Sequence, residues 1–446
     1  METSQEKDME KETTVSYDAY FEKIQSRKKL PVSLQETLTA AFARIPVSSF
    51  PQVPGGKGVI EISAETSISD AVKVLSECNI LSAPVTDPDK ADSSDWKDRY
   101  LGIIDYSAII LWVLEGAELA AVALSASSAT AAGVGAGAMG ALGAVALGTT
   151  GPVAVAGLAA AAVGAAVAGG VAVDKGMGKD APTAASELGD DFYKVILQEE
   201  PFKSTKVREI IESFRSTPFL PVSTESNMLM VLLLLSKYRM RNVPVIEPGN
   251  AFMKNFITQS AVVRGLEGCR GRDWFDAIAS HPITDLGLPF MSHDQVVSID
   301  SNELILEAFK RMKDNQIGGL PVVEGQRKKI VGNLSIRDIR YLLLKPDLFS
   351  NFRHLTVNDF MKTVASMVQE VGKVMPAITC KTNSTLGDII YSLASKAVHR
   401  IYVVSEEEEV VIGVITLRDV ISCFIYEPPN YFDDYLGCSA KELLKR

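Results

Sequence analysis

Two short runs carry residue types that could do chemistry. Gly332-Asn333-Leu334-Ser335-Ile336-Arg337-Asp338 is echoed by Gly413-Val414-Ile415-Thr416-Leu417-Arg418-Asp419. Each passes from an apolar strand pattern into a helix pattern, with a hydroxyl three residues before a carboxylate. Two readings fit. In one, Ser335 and Thr416 are helix N-caps and Asp338 and Asp419 are first-turn acids, close to a capping box. In the other, the carboxylate accepts two hydrogen bonds from a vicinal diol. The cap hydroxyl and free N–H groups then favour a phosphate nearby. Arg337 and Arg418 add positive charge, and suit a solvated helix face equally well.

A second constellation is His399-Arg400, directly before an apolar strand pattern. Arg offers a planar fork for phosphate, and His adds a donor whose charge depends on pH. The place equivalent to this pair is Arg241-Asn242 in one other segment, which keeps one basic group. In a third it is Gly318-Gly319, which lacks side chains and would let a ligand approach the backbone.

These comparisons are possible because the chain repeats. Four segments share a helix, a short apolar strand, a second strand and another helix. The first strand reads Ala83-Pro84-Val85, Val243-Pro244-Val245, Leu320-Pro321-Val322 and Ile401-Tyr402-Val403. The second strand starts eleven residues after that Pro or Tyr at Asn255, Gly332 and Gly413, and eighteen after it at Gly102. Fourteen residues before it stand Asp70, Met230, Glu307 and Asp388. A sheet this short, covered on one face by its own helices, needs a partner copy on its other face and edge. Copies one and two should pair, as should three and four, and the two pairs should stack into a disk. The fold class is therefore α/β (α+β), four β-α-β-β-α repeats in a pseudo-symmetric arrangement.

The expected organisation is a flexible N-terminal tail and short helix over 1–44, then repeat one over 45–115. An insertion follows over 116–190, then repeat two (191–268), a linker (269–288) and repeat three (289–346). A connector (347–372), repeat four (373–430) and a C-terminal tail (431–446) complete the chain. Residues 34–45 carry apolar residues at helical spacing. The stretch after Met228 is apolar nearly all round, as in a buried helix.

Composition narrows the function classes. A formal net charge of −10 argues against nucleic-acid binding, which needs a basic face. Cys78, Cys269, Cys380, Cys423 and Cys438 are scattered, so neither a disulfide framework nor a metal site is expected. The charged N-terminus is no secretory signal. No charge falls between Leu119 and Val173, a stretch of mostly Ala and Gly. It reads as a low-complexity insertion and not a membrane span, because it holds few Leu, no Ile and no Phe. Nucleophile-elbow, zinc-protease and P-loop motifs are absent from the sequence, so no enzyme is expected. Glu406–Glu409 reads as a solvated hairpin loop.

The repeats resemble the cystathionine-β-synthase (CBS) repeat, paired as Bateman modules. Four in one chain resemble the gamma regulatory subunits of AMP-activated and sucrose-non-fermenting-related protein kinases, the plant type above all. The resemblance covers about residues 45–430 and is strongest in repeats three and four. It implies a non-catalytic subunit, partnered by a catalytic alpha and a scaffold beta subunit, acting in energy and carbohydrate signalling. The expected compartment is the cytoplasm, with the nucleus as a second. It implies an adenine nucleotide (AMP, ADP or ATP) as ligand, with no other cofactor. Asp338 and Asp419 would then hold ribose, and His399 and Arg400 phosphate. Ala108 and Ala261 stand where repeats one and two would need that Asp. The first pair is therefore expected to bind weakly or not at all and to be chiefly structural. A constitutive scaffold of the same fold without nucleotide response is the alternative.

Overall fold

The structure, a computed structural model, describes residues 19–52, 58–78, 80–109, 112, 205–213, 219–339, 341, 354–368, 377–407 and 409–432. Helices α1 (19–27) and α2 (Val32–Phe42) come first. Repeat one holds β1 (Ile62–Ser63), α3 (Ile68–Glu77), β2 (Ser82–Thr86), the single turn α4 (Trp96–Arg99) and β3 (Tyr100–Asp105). Helix α5 (Val207–Ser213) leads into repeat two: β4 (Val222–Ser223), α6 (Met228–Ser236), β5 (Asn242–Ile246), β6 (Met253–Thr258) and α7 (Gln259–Glu267). Helix α8 (Asp273–Ala279) leads into repeat three: β7 (Ile299–Asp300), α9 (Ile305–Asp314), β8 (Gly319–Glu324), β9 (Lys329–Ser335) and a 3-10 turn, Ile336–Ile339. Helix α10 (Val357–Val368) leads into repeat four: β10 (Thr379–Cys380), α11 (Leu386–Ser395), β11 (Arg400–Val404), β12 (Val411–Thr416) and α12 (Leu417–Cys423).

Constant spacing in the sequence becomes constant register in space. Each sheet has three strands with the second in the middle, parallel to the first and antiparallel to the third. The equivalent pairs are Pro84↔Ile103, Pro244↔Phe256, Pro321↔Asn333 and Tyr402↔Val414. Every ladder shifts register at the same place, after Val85, Val245, Val322 and Val403. The one departure from Pro has a consequence. The Tyr402 N–H donates to Ile378 O at 3.0 Å, a bond proline cannot make.

Sheets pair as expected. Repeats three and four join through Val323 and Ile330 packed with Tyr402, Val404 and Val411. A bridge between Lys329 and Val410 extends that join. Repeats one and two join where Met253 N–H donates to the Tyr100 hydroxyl at 3.0 Å.

An exchange of segments adds to each pair. The residue that opens each lead-in segment is apolar and buried: Val47, Val207, Ile283 and Val357. Each docks on the other repeat of its pair. Val47 N–H donates to Ser226 O at 2.8 Å and Val207 N–H to Thr66 O at 3.0 Å. Ile283 N–H donates to Ser384 O, and Val357 N–H to Glu303 O, both at 2.9 Å. Burying each such side chain contributes roughly 1.5–3 kcal/mol. The stretches read as linker and connector are therefore folded over α8, the turn at Ile283 and α10.

Helices join one pair to the other. α7 packs on α11 and α12, and α6 on α12. The helix layers are shared across the pairs, so one core holds repeats two and four and another holds repeats one and three. This explains α6. With α12, β5 and α2 around it, eight of its nine residues are buried, and no polar face is needed.

The flexible tail expected ahead of the short helix needs correction from residue 19 onward. There α1 buries Phe21 and Ile24, and Leu30 follows them into the core of repeats two and four. Helix α2 docks on the same core, as its spacing predicts. The Ala/Gly-rich insertion lies outside the described residues. Among the described residues no helix is long and apolar enough to cross a membrane.

Candidate functional site

All four repeats line one cavity of about 1030 Å³. That volume is at the upper end for small-molecule pockets, roughly 300–1,000 Å³. Its wall is basic. Arg239 and Arg241 come from the turn before β5, His399 and Arg400 from the turn into β11, and Arg418 from the first turn of α12. Of the residues singled out from sequence, Ser335, His399, Arg400, Thr416, Arg418, Asp419, Gly318 and Gly319 all line this cavity. Asp338 is half-buried and is not part of the wall. The Arg337 backbone lies in the 3-10 turn, and its side chain lies outside the described residues.

The glycine pair serves an internal partner. A Cβ on Gly319 would collide with Arg400 Nη1 and with Leu334 O. A Cβ on Gly318 would stand 3.3 Å from Arg400 Nη2 and 3.8 Å from Arg241 Nη2. The bare backbone is thus a seat for the Arg400 guanidinium. Arg241 and Arg400 are thereby drawn to one spot from opposite pairs. Arg241 is held by Asp105 Oδ2 at 3.1 Å and by Ser107 Oγ at 3.0 Å. Asp105 also caps its helix, accepting from Ala108 N–H through Oδ1 at 2.8 Å.

The two Ser/Thr-x-x-Asp runs differ. In repeat four the capping box is complete. Asp419 Oδ2 accepts from Thr416 N–H at 2.8 Å and from its hydroxyl at 2.7 Å, and Asp419 N–H donates to Thr416 Oγ1 at 3.3 Å. Both side-chain bonds use Oδ2, so the cap does not consume Oδ1. Asp419 is 4% exposed. Burial pushes its carboxyl up, while the Arg418 charge and the Thr416 bonds pull it down less strongly. In repeat three Asp338 Oδ2 accepts from Ser335 N–H at 2.8 Å, but the Ser335 hydroxyl donates to Gly318 O at 3.3 Å. Asp338 and Arg400 both act electrostatically on the buried Tyr402 phenol, pushed up to about 12 chiefly by burial.

Sequence reasoning missed several wall residues. Arg239 belongs to the pair expected to be chiefly structural, as does Arg241, whose basic group the sequence showed without assigning it to the site. Tyr20 packs its ring against two guanidiniums, 4.2 Å from Arg239 and 4.3 Å from Arg418, and its hydroxyl accepts from Arg418 Nη2. Asn242 is 7% exposed, and its Oδ1 has no hydrogen-bond partner. Tyr20 with Phe21 and Ile24 was a helical signal too short to stand out. An arginine and an unpaired amide on one wall suit a ligand that is anionic and also carries a hydrogen-bond donor.

The CBS domain model matches residues 284–345 and 370–426, which are repeats three and four. The SNF1-related protein kinase regulatory subunit gamma-1-like of Arabidopsis thaliana is 69% identical over 98% of this chain and 97% of its own length. The chain belongs to the family of SNF1-related protein kinase regulatory gamma subunits. The gamma-1 subunit of the same plant is 34% identical over 93% of this chain and 89% of its own length. Protein MJ1225 of Methanocaldococcus jannaschii, a solved structure, covers 84% of this chain and 100% of its own at 16% identity, with a TM-score of 0.48. Membership makes the chain a regulatory, non-catalytic gamma subunit of the CBS fold. The domain model stops at the second pair, yet the first pair repeats its sheet order and register.

Proposed function

We propose that this gamma subunit senses an adenine nucleotide in the shared cavity and signals its occupancy to a catalytic alpha and a scaffold beta subunit. The observation that carries the reading is the convergence of Arg239, Arg241, His399, Arg400 and Arg418 on one concave wall. Such a cluster is costly to assemble by mutual repulsion, and a polyphosphate relieves that cost. Arg400, His399 and Arg241 would hold phosphate. Asp419, with Oδ1 left over by its cap, would accept from the ribose hydroxyls, with Asp338 behind the wall. A ligand that touches both pairs favours the arrangement that closes on it, and this difference is what the other subunits would read. The output would tie kinase activity to energy and carbohydrate status.

Calorimetric titration of AMP, ADP and ATP into the full chain tests this. Binding that is lost in Arg400→Gln supports the reading. Absence of heat with all three nucleotides contradicts it and favours the second reading, a constitutive scaffold. One observation favours that second reading: Asp419 and Arg241 already have internal partners in Thr416 and Asp105.

A further inference from the structure

Helix α1 is joined to the cavity wall by its only tyrosine, and clamped beyond it by three consecutive basic residues. Arg27 Nη1 donates to Phe290 O, and to Gln295 Oε1 at 3.3 Å. Lys28 Nζ donates to Ser422 O at 3.1 Å and to Ile425 O, at the carboxyl end of α12. Lys29 Nζ donates to Thr284 O at 3.1 Å. All five acceptors belong to the second pair or its lead-in segment, so the clamp fixes the end of α1 to that pair, with Tyr20 on the cavity wall. Gly287 takes part as well. Its φ is +86°, and a Cβ there would collide with Arg27 O, so the clasp follows the bare turn closely.

The Tyr20 ring is packed against two guanidiniums, Arg239 at 4.2 Å and Arg418 at 4.3 Å from its centroid, and these cations come from different pairs. Each contact is the stacking of a cation on the negative face of the ring. A phosphate bridging those two guanidiniums would need the space beside them that the ring fills, and one Arg418 Nη2 hydrogen is already given to the Tyr20 hydroxyl.

We propose that α1 is a tethered occupant of the nucleotide cavity, in which the Tyr20 ring and a phosphate-bearing ligand exclude each other from the Arg239–Arg418 cleft. Resting on the nucleotide reading above, this makes the segment ahead of α2 an intramolecular gate. Ligand binding withdraws Tyr20, and the segment is released from the cavity wall. The apparent affinity of the parent chain is lowered by the fraction of molecules in which α1 is docked. The same linkage makes release of α1 a report on occupancy that a partner subunit can read.

The test uses the full chain and ATP, with tripolyphosphate as a probe that lacks the nucleoside. Tyr20→Ala should raise ATP affinity about tenfold, the scale of two cation–π contacts removed from the competing state. Arg27→Ala, which loosens the clamp and leaves Tyr20 in place, should raise it in the same direction. Saturating ATP or tripolyphosphate should speed trypsin cleavage at Lys28 and Lys29 in the parent chain. ATP binding of equal strength in the parent and both variants, with Lys28 and Lys29 still protected, overturns the gate and leaves the nucleotide reading intact. No ATP binding in any of the three chains overturns both.

Discussion

Gly319 and Arg400 share one space: the missing Cβ of the first is filled by the guanidinium of the second. Gly319→Ala should therefore displace Arg400 and also press on Leu334 O in the adjoining strand. Overpacking of this kind costs about 1–3 kcal/mol, read as a lower urea midpoint with unchanged slope. Nucleotide affinity should fall with it. Gly318→Ala meets only the far ends of two flexible side chains, Arg400 at 3.3 Å and Arg241 at 3.8 Å, and should change stability by less than about 0.5 kcal/mol. Equal costs at the two positions would mean that Arg400 is not seated as described.

Burial of Asp419 works against its charged form. Its folded pKa is raised above the ordinary 3.8 by burial. Stability associated with the protonated form is therefore present below pH 3.8 and lost as pH rises through the folded value, so burial disfavours the charged form. Asp419→Asn keeps an acceptor for the Thr416 cap and removes the charge. It should raise the melting temperature at pH 7 while weakening nucleotide binding. A lower melting temperature would show that the charge serves the cap alone.

The Tyr402 phenol donates to Asn333 Oδ1 across the join of repeats three and four. Tyr402→Phe should cost about 1 kcal/mol between pH 7 and 9. The phenol is pushed up to about 12 from an ordinary 10.0. Its contribution is thus complete below pH 10 and is lost as pH rises through about 12. The difference between parent and variant should shrink above pH 10. Urea denaturation at pH 8, 10 and 11 measures it, and a difference that grows with pH would contradict the assignment.

Ile283 lies in a stretch that the sequence presents as a linker, yet it is fully buried on repeat four. Ile283→Ala should cost about 2–5 kcal/mol, as for a core position. A change below about 0.5 kcal/mol would be that of a surface loop, and would remove the exchanged segment from the account.

Much of this fold was legible because register follows from spacing. The constant interval from Pro244, Pro321 and Tyr402 to the next strand pointed to a constant pairing, and repeat one keeps that register despite its longer loop; the bulge left no mark in the spacing. The exchange of Val47, Val207, Ile283 and Val357 was not legible, since a single buried residue in a short segment leaves no period to detect. The second-pair side of the site was readable from local motifs such as Thr416-x-x-Asp419. Its other half was not, because Arg239, Arg241 and Tyr20 gain their meaning only when repeat two and α1 are brought against repeat four. Alanine at positions 108 and 261 correctly removes two carboxylates, but it says nothing about arginines contributed from a neighbouring turn.

The central claim is that one cavity, built by both pairs, holds the nucleotide. The most direct measurement is equilibrium binding of ATP to the full chain, to Arg400→Gln in the second pair and to Arg241→Gln in the first. The account predicts that both substitutions weaken binding by at least about tenfold, the loss of a charge-assisted hydrogen bond to phosphate. Binding to Arg241→Gln that matches the parent, with Arg400→Gln impaired, would confine the site to one pair and contradict it.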